Sequence, residues 1–191
     1  MFPVRELSEN DKLIMKNLKQ SIGILGGSFD PPHRGHLKIS LVSIKKFELN
    51  KLYWMITQKN PFKNKPFFSL KERLEMCKKM TKKRKKIKIQ YLEKYTKSTR
   101  TIKMIEYLKK KINTTEIFLI IGSDNLINFH KWKNWKKIVK LCRLVVFSRK
   151  GFDQKAQKAT IMKYIQKKQI MYIKDSKIDI SSSKIRKNYL K

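Results

Sequence analysis

A chain of 191 residues with 40% hydrophobic side chains can bury one sizeable core, so a single globular domain is expected. Its 48 Lys and Arg against 14 Asp and Glu leave a formal charge of +34, which points to anionic partners (nucleic acid, an acidic membrane or phosphorylated small molecules) without choosing among them. Only eight of the cations are Arg and the lysines are scattered through every segment, so solvated Lys faces explain the charge better than a dedicated surface for nucleic acid.

The chain opens on "MFPVRELSEN", which lacks a basic-then-apolar leader, and the longest clean apolar run, "IFLII", is too short for a bilayer. A soluble intracellular protein, cytoplasmic or nuclear and away from membranes, follows as the expectation. Residues 1–19, with "SENDKLIMKNL", predict an amphipathic helical extension ahead of a main domain over 20–191. Apolar, β-rich runs then recur at 21–26, 52–57, 87–92, 116–122, 143–148 and 170–173. Helical spacing lies between them: after Gly35, from Ser69, from Thr99, around Trp132 and from Asp153. Ser69 with Glu72 has the capping-box pattern, and "SSSKIR" (181–186) offers Ser caps for a last helix. The densest basic run, "KKMTKKRKKIK" (78–88), reads as a solvated helix end and loop. Cys77 and Cys142, each inside an apolar-periodic stretch, read as buried thiols. Near-continuous apolar strands alternating with helices predict an α/β fold with a doubly wound, Rossmann-like parallel sheet.

"GGSFDPPHRGH" (26–36) concentrates three of the six glycines and two of the three histidines at the end of the first strand, where an open α/β sheet binds ligands. Gly26 and Gly27 let backbone amides approach a phosphate, and the helix opening near Arg34 offers free N–H groups and a positive dipole end. His33 and His36, three apart, would share one face if the helix began by His33, while Gly35 keeps the adjoining space clear. No third His, Cys or carboxylate has ligand spacing, although Asp30 is near, so a metal site is disfavoured.

This stretch resembles the nucleotidyltransferases with an H-x-G-H motif, and most closely the bacterial-type nicotinate-nucleotide (or nicotinamide-nucleotide) adenylyltransferases. Further stretches carry the same resemblance: "ITQKNPFKNK" (56–65), "IIGSDNLINFHKWKNW" (120–135), "VVFSRKGF" (145–152) and "DISSSKIR" (179–186). The resemblance implies joining of nicotinate mononucleotide, with nicotinamide mononucleotide as the other candidate, to the AMP part of ATP. Pyrophosphate leaves, and deamido-NAD or NAD results; Mg²⁺ carried by ATP is the cofactor. It further implies His33 and His36 as catalytic groups, and Gly26, Gly27, Ser28, Phe29, His36, Ser181, Ser182, Ser183 and Arg186 around the ATP phosphates. Gly122 and Asp124 would meet ribose, and Lys63, Thr99, Trp132 and Arg149 the pyridine mononucleotide. Departures are Phe62 where a His is usual, and Ser28 and Ser183 in place of commoner threonines. Trp135 reads as core and His130 as a surface residue without a role.

Read as chemistry, the Ser181–Ser183 hydroxyls and a helix N-terminus form a second anion site, with Arg186 as a fork for β- and γ-phosphates. The nucleophile would be a phosphate monoester, already mostly dianionic because its second pKa is about 6, so no general base is needed. Catalysis then rests on alignment and charge neutralisation, with protonated or hydrogen-bonding His33 and His36 and with His36 nearest the α-phosphate. Within the superfamily, a pantetheine-phosphate adenylyltransferase or a cytidylyltransferase is the alternative; an aromatic platform at Trp132 suits a flat cationic ring better. A nucleic-acid-binding protein, the reading the charge suggests, is disfavoured by the lack of an RNA- or DNA-reading motif and the even scatter of Lys, and a homo-oligomer is compatible with the chain.

Overall fold

Both faces of each strand must be covered in a parallel sheet, and the apolar runs of this chain supply side chains for both. The computed structural model describes residues 21–58, 65–112, 116–174 and 181–189. Among the described residues six parallel strands form one sheet: β1 (Ser21–Gly27), β2 (Lys51–Ile56), β3 (Ile87–Gln90), β4 (Glu116–Gly122), β5 (Arg143–Phe147) and β6 (Ile170–Ile173), ordered β3-β2-β1-β4-β5-β6. All six expected strands are present; β3 is shorter than its apolar run because the chain turns away at Tyr91.

Period-two alternation sorts the strand residues into two cores. Ile22, Ile24, Met55, Leu119, Ile121, Leu144 and Val146 face one way. There they meet Ile105 and Leu108 of α4 (Thr101–Lys111), Leu126 of α5 (Ser123–Ile127), Ile138 of α6 (Trp135–Leu141) and Ala156 of α7 (Asp153–Gln157). Leu25, Trp54, Ile56, Phe118, Ile120, Val145 and Phe147 face the other way, against α1 (Arg34–Lys46) and α2 (Leu70–Thr81). A short helix, α3 (Glu93–Thr96), lies between β3 and α4, and α8 (Ser182–Tyr189) is the C-terminal helix of the described residues.

Local signals explain the helix starts. Ser69 Oγ accepts the Glu72 N–H (3.3 Å) and Glu72 Oε2 accepts the Ser69 N–H (2.8 Å), the reciprocal cap that the sequence predicts. The helix expected around Trp132 divides instead into a 3₁₀ turn at Phe129–Lys131 and α6, because Trp132 is extended and Asn134 takes a left-handed backbone (φ 57°). After Asp153 the helical stretch is likewise broken: α7 stops at Gln157 and a 3₁₀ turn follows at Thr160–Lys163. Cys77 and Cys142 are buried free thiols, as expected, and burial pushes each up to about 12. Lys82, Lys83 and Lys85 stand exposed in the turn after α2. Among the described residues no helix is long and apolar enough to cross a membrane. The predicted extension over 1–19 lies outside the described residues.

Candidate active site

Strand order reverses between β1 and β4, so their carboxyl ends diverge to neighbours on opposite sides and leave a crevice. A cleft of about 740 Å³ opens there, lined by Gly26, Gly27, His33, Gly35, His36, Thr99, Gly122, Asp124, Trp132 and Arg149. Side chains expected at the site from four distant stretches therefore meet in one cavity.

The loop after β1 is shaped by burial. Phe29 adopts φ 48°, a conformation that bulky residues seldom take, and is only 1% exposed. Its ring stacks on Trp54 (centroids 4.8 Å apart) and lies 4.6 Å from the His36 ring. The Trp54 indole N–H donates to Ser40 Oγ (2.7 Å), whose hydroxyl donates to the His36 carbonyl (2.7 Å). A buried platform thus fixes His36 from below and from its own helix. The Phe29 side chain belongs to that platform, so only its backbone is left for a phosphate. Ser28 is half-buried and does not line the cleft; its carbonyl accepts from Arg73.

The helix begins at Arg34, one residue later than the face-sharing argument requires, and His33 is an extended N-cap (φ −147°, ψ 169°). The rings still meet, with centroids 3.8 Å apart, because the His33 backbone N–H donates to His36 Nδ1 (3.2 Å). That bond leaves Nδ1 of His36 without a proton, so its ring N–H is at Nε2. His33 is 8% exposed, and burial, helped by the Arg149 charge, lowers it from 6.5 to about 4. Burial therefore favours the neutral, hydrogen-bonding form of His33 over the protonated one, the two forms that the sequence leaves open. Its Nδ1 has no hydrogen-bond partner among the described residues.

On the opposite wall, Arg149 Nη1 pairs with Asp124 Oδ2 at 2.6 Å. Asp153 holds this turn in place: Oδ1 accepts the Arg149 N–H (3.1 Å) and the Tyr172 hydroxyl (2.8 Å), and Oδ2 accepts the Ser148 hydroxyl. Burial alone would raise the Asp153 carboxyl, but these donors outweigh it and hold it at about 2. Gly122 caps α5, and a Cβ there would collide with Asp124 Oδ1. Gly26 faces open space: a Cβ on it would meet no protein atom within 4 Å. Trp132 stacks one side on Phe129 (4.8 Å) and lines the cleft. Trp135, expected in the core, is half-buried and packs against the core's edge, with its ring edge-on to Tyr164 (5.0 Å). His130 is half-buried rather than on the surface.

Ser181, Ser182, Ser183 and Arg186 do not line this cleft but border the same loop. Ser182 Oγ donates to the Pro31 carbonyl (2.9 Å), and Arg186 Nη1 donates to the Asp30 carbonyl (2.6 Å) and to Asp30 Oδ2 (3.3 Å). Arg186 Nη2 donates to Ser183 Oγ at 3.2 Å. The guanidinium expected to fork onto phosphates is here a clamp on the first loop. Lys63 lies outside the described residues. Among the described residues no three His, Cys, Asp or Glu side chains come together as metal ligands.

Residues 24–188 match the cytidylyltransferase-like family model. A relative from Pelagibacter ubique that bears the name nicotinate-nucleotide adenylyltransferase is 46% identical over 169 residues, 88% of this chain and 93% of its own. The chain belongs to the nicotinate-nucleotide adenylyltransferase family. An Aquifex aeolicus member is 33% identical, covering 84% of this chain and 98% of that one. In fold, the chain is similar to the Plasmodium falciparum nicotinic acid mononucleotide adenylyltransferase complexed with NaAD. The TM-score is 0.69 at 21% identity, over 88% of this chain and 83% of that one.

Within this family frame, the sequence reading missed the residues that support the site. Asp30 sits inside the quoted motif yet is buried, its oxygens accepting the Phe67 and Phe68 N–H groups at 2.9 Å each. Arg73 is 1% exposed and donates only to carbonyls. Its signal was faint: it falls on the apolar stripe Leu70–Leu74–Cys77 of α2, where a solvated cation does not belong. Arg100, Lys131 and Lys133 also line the cleft, and scattered among so many lysines nothing in their spacing distinguished them.

Proposed function

We propose that this cleft joins nicotinate mononucleotide to the AMP part of ATP, releasing pyrophosphate and forming deamido-NAD for NAD synthesis, in a soluble compartment. The observation that carries the reading is the pairing of His33 and His36 beside Gly26 in a cleft whose far wall is Trp132 and Arg149. The 46% identity to a relative of that name supports the same conclusion.

In this reading the 5′-phosphate oxygen of the mononucleotide attacks the α-phosphorus, the bond from the α-phosphorus to the bridging oxygen breaks so that pyrophosphate leaves, and Mg²⁺ would be carried by the ATP substrate and the pyrophosphate product. The dianionic nucleophile needs no base. What the protein supplies is alignment and oriented donors. His36 offers its Nε2–H to the α-phosphate, while Gly26 and Gly27 keep side chains out of its way. His33 serves as a hydrogen-bonding group, and positive charge comes from Arg149, Lys131, Lys133 and the metal on the triphosphate. Trp132 forms the ring platform, Thr99 its neighbour, and Asp124 and Gly122 the ribose side.

The test is a pyrophosphate-release assay with Mg²⁺, ATP and either mononucleotide. Nicotinate mononucleotide should give the higher kcat/KM. His36→Ala should lower kcat by roughly 10²–10³, the loss typical of one oriented donor to a developing oxyanion. Near-normal turnover would remove His36 from the reaction, and no turnover of either mononucleotide by wild-type protein would end the reading.

A further inference from the structure

Arg73 is a charged side chain that the fold buries completely, and α2 could have placed an apolar residue there. Burying a guanidinium without a paired carboxylate is expensive unless hydrogen bonds replace its water. Four such bonds are present, all to main-chain carbonyls. Nε donates to Phe68 (3.1 Å), Nη1 to Ser28 (2.6 Å) and Thr57 (2.7 Å), and Nη2 to Gln58 (3.0 Å).

These acceptors share a property. Ser28 follows the last residue of β1, and Thr57 and Gln58 follow the last residue of β2, where carbonyls run out of strand partners just as the backbone enters the cleft. Phe68 precedes the α2 cap on the far side of the segment 59–64. One planar fork therefore ties the exit of β1, the exit of β2 and the entry of α2. Asp30 completes the tie from the same loop by accepting the Phe67 and Phe68 N–H groups. Glu93, buried beside it, accepts the Gln58 N–H at 3.1 Å.

We propose that Arg73 is a positioning residue for adenylyl transfer: its guanidinium sets the height of the Gly26–Phe29 loop against the Thr57–Gln58 loop, and so the line between the two phosphates that react. The proposal rests on the function proposed above. Arg73 touches no cleft surface and does not line the cavity, so it acts through the backbone it holds. Misplacement of reacting groups by about 1 Å is enough to cost roughly 10² in rate.

Lysine keeps the buried charge but has no planar fork to reach three segments, so Arg73→Lys separates positioning from simple neutralisation. With wild type active, Arg73→Lys should fold and lose roughly 10- to 100-fold in kcat, with KM for the mononucleotide changed by less than about threefold. Arg73→Ala should lose as much, and millimolar ethylguanidinium should restore part of its kcat while leaving wild type unaffected. Wild-type kcat in folded Arg73→Lys would overturn the proposal. So would an Arg73→Ala whose activity per folded molecule equals wild type, or whose loss guanidinium does not relieve. If Arg73→Ala does not fold, the Lys variant alone decides. An inactive wild type would instead defeat the functional reading.

Discussion

At neutral pH the buried His33 ring has given up its charge, and the fold's stability depends on that ring staying neutral. Because its folded value of about 4 lies below the unfolded 6.5, the unfolded chain binds the extra proton first as pH falls. The contribution is fully present above pH 6.5 and is lost between 6.5 and 4, up to about 3 kcal/mol. Thermal unfolding followed from pH 7.5 to 4.5 should show Tm of wild type dropping and Tm of His33→Gln dropping less; parallel curves would contradict the burial argument. Asp153 acts in a lower window, since its stabilisation disappears only as pH falls from 3.8 toward 2. At this scale the sequence revealed groups that line the cleft and concealed those that hold them. Gly26, His33 and His36 stand out because they are rare in this chain, whereas Arg73 and Asp30 acquire meaning only when burial is known.

Two glycines of β1 separate the sheet from the cleft. A methyl group at Gly23 would come within 2.7 Å of Leu49 Cδ1 and 3.2 Å of Ile120 and Leu52 Cδ1, in a packed core. Gly23→Ala should therefore destabilise by about 1–3 kcal/mol, read as Tm, with KM for ATP unchanged. Gly26→Ala points the same methyl into empty cleft, so Tm should hold while KM for ATP rises on the order of tenfold, about 1.4 kcal/mol of lost binding. If both variants lose stability alike, the assignment of Gly26 to ligand space fails. The strands were legible because burial on both faces leaves a near-continuous apolar run. The short helices were not: Glu93–Thr96 is a single turn, and the break near Trp132 depends on one left-handed Asn134 that propensity does not flag.

Across the whole molecule, the parallel sheet sends every connecting helix back toward the strand N-termini, away from the cleft. Lys45 and Lys46 lie in the last turn of α1, Lys78 and Lys79 in that of α2, Lys109, Lys110 and Lys111 in that of α4, and Lys140 in that of α6. Each suits the negative end of its helix dipole. Together they also repel one another, and a formal charge of +34 makes that repulsion a property of the entire fold. Raising NaCl from 20 to 300 mM, conditions on the order of a 20 Å and a 6 Å screening length, should raise Tm by a few degrees. A fall in Tm would mean that ion pairs such as Lys137–Glu106 dominate instead.

The clamp of Ser182 and Arg186 on Pro31 and Asp30 joins positions 151 and 156 residues apart. During synthesis all six strands exist before either clamp residue has been added. Every strand residue thus precedes the clamp in chain order, and the loop after β1 gains its tether only when the C-terminal helix docks on a sheet that can already form.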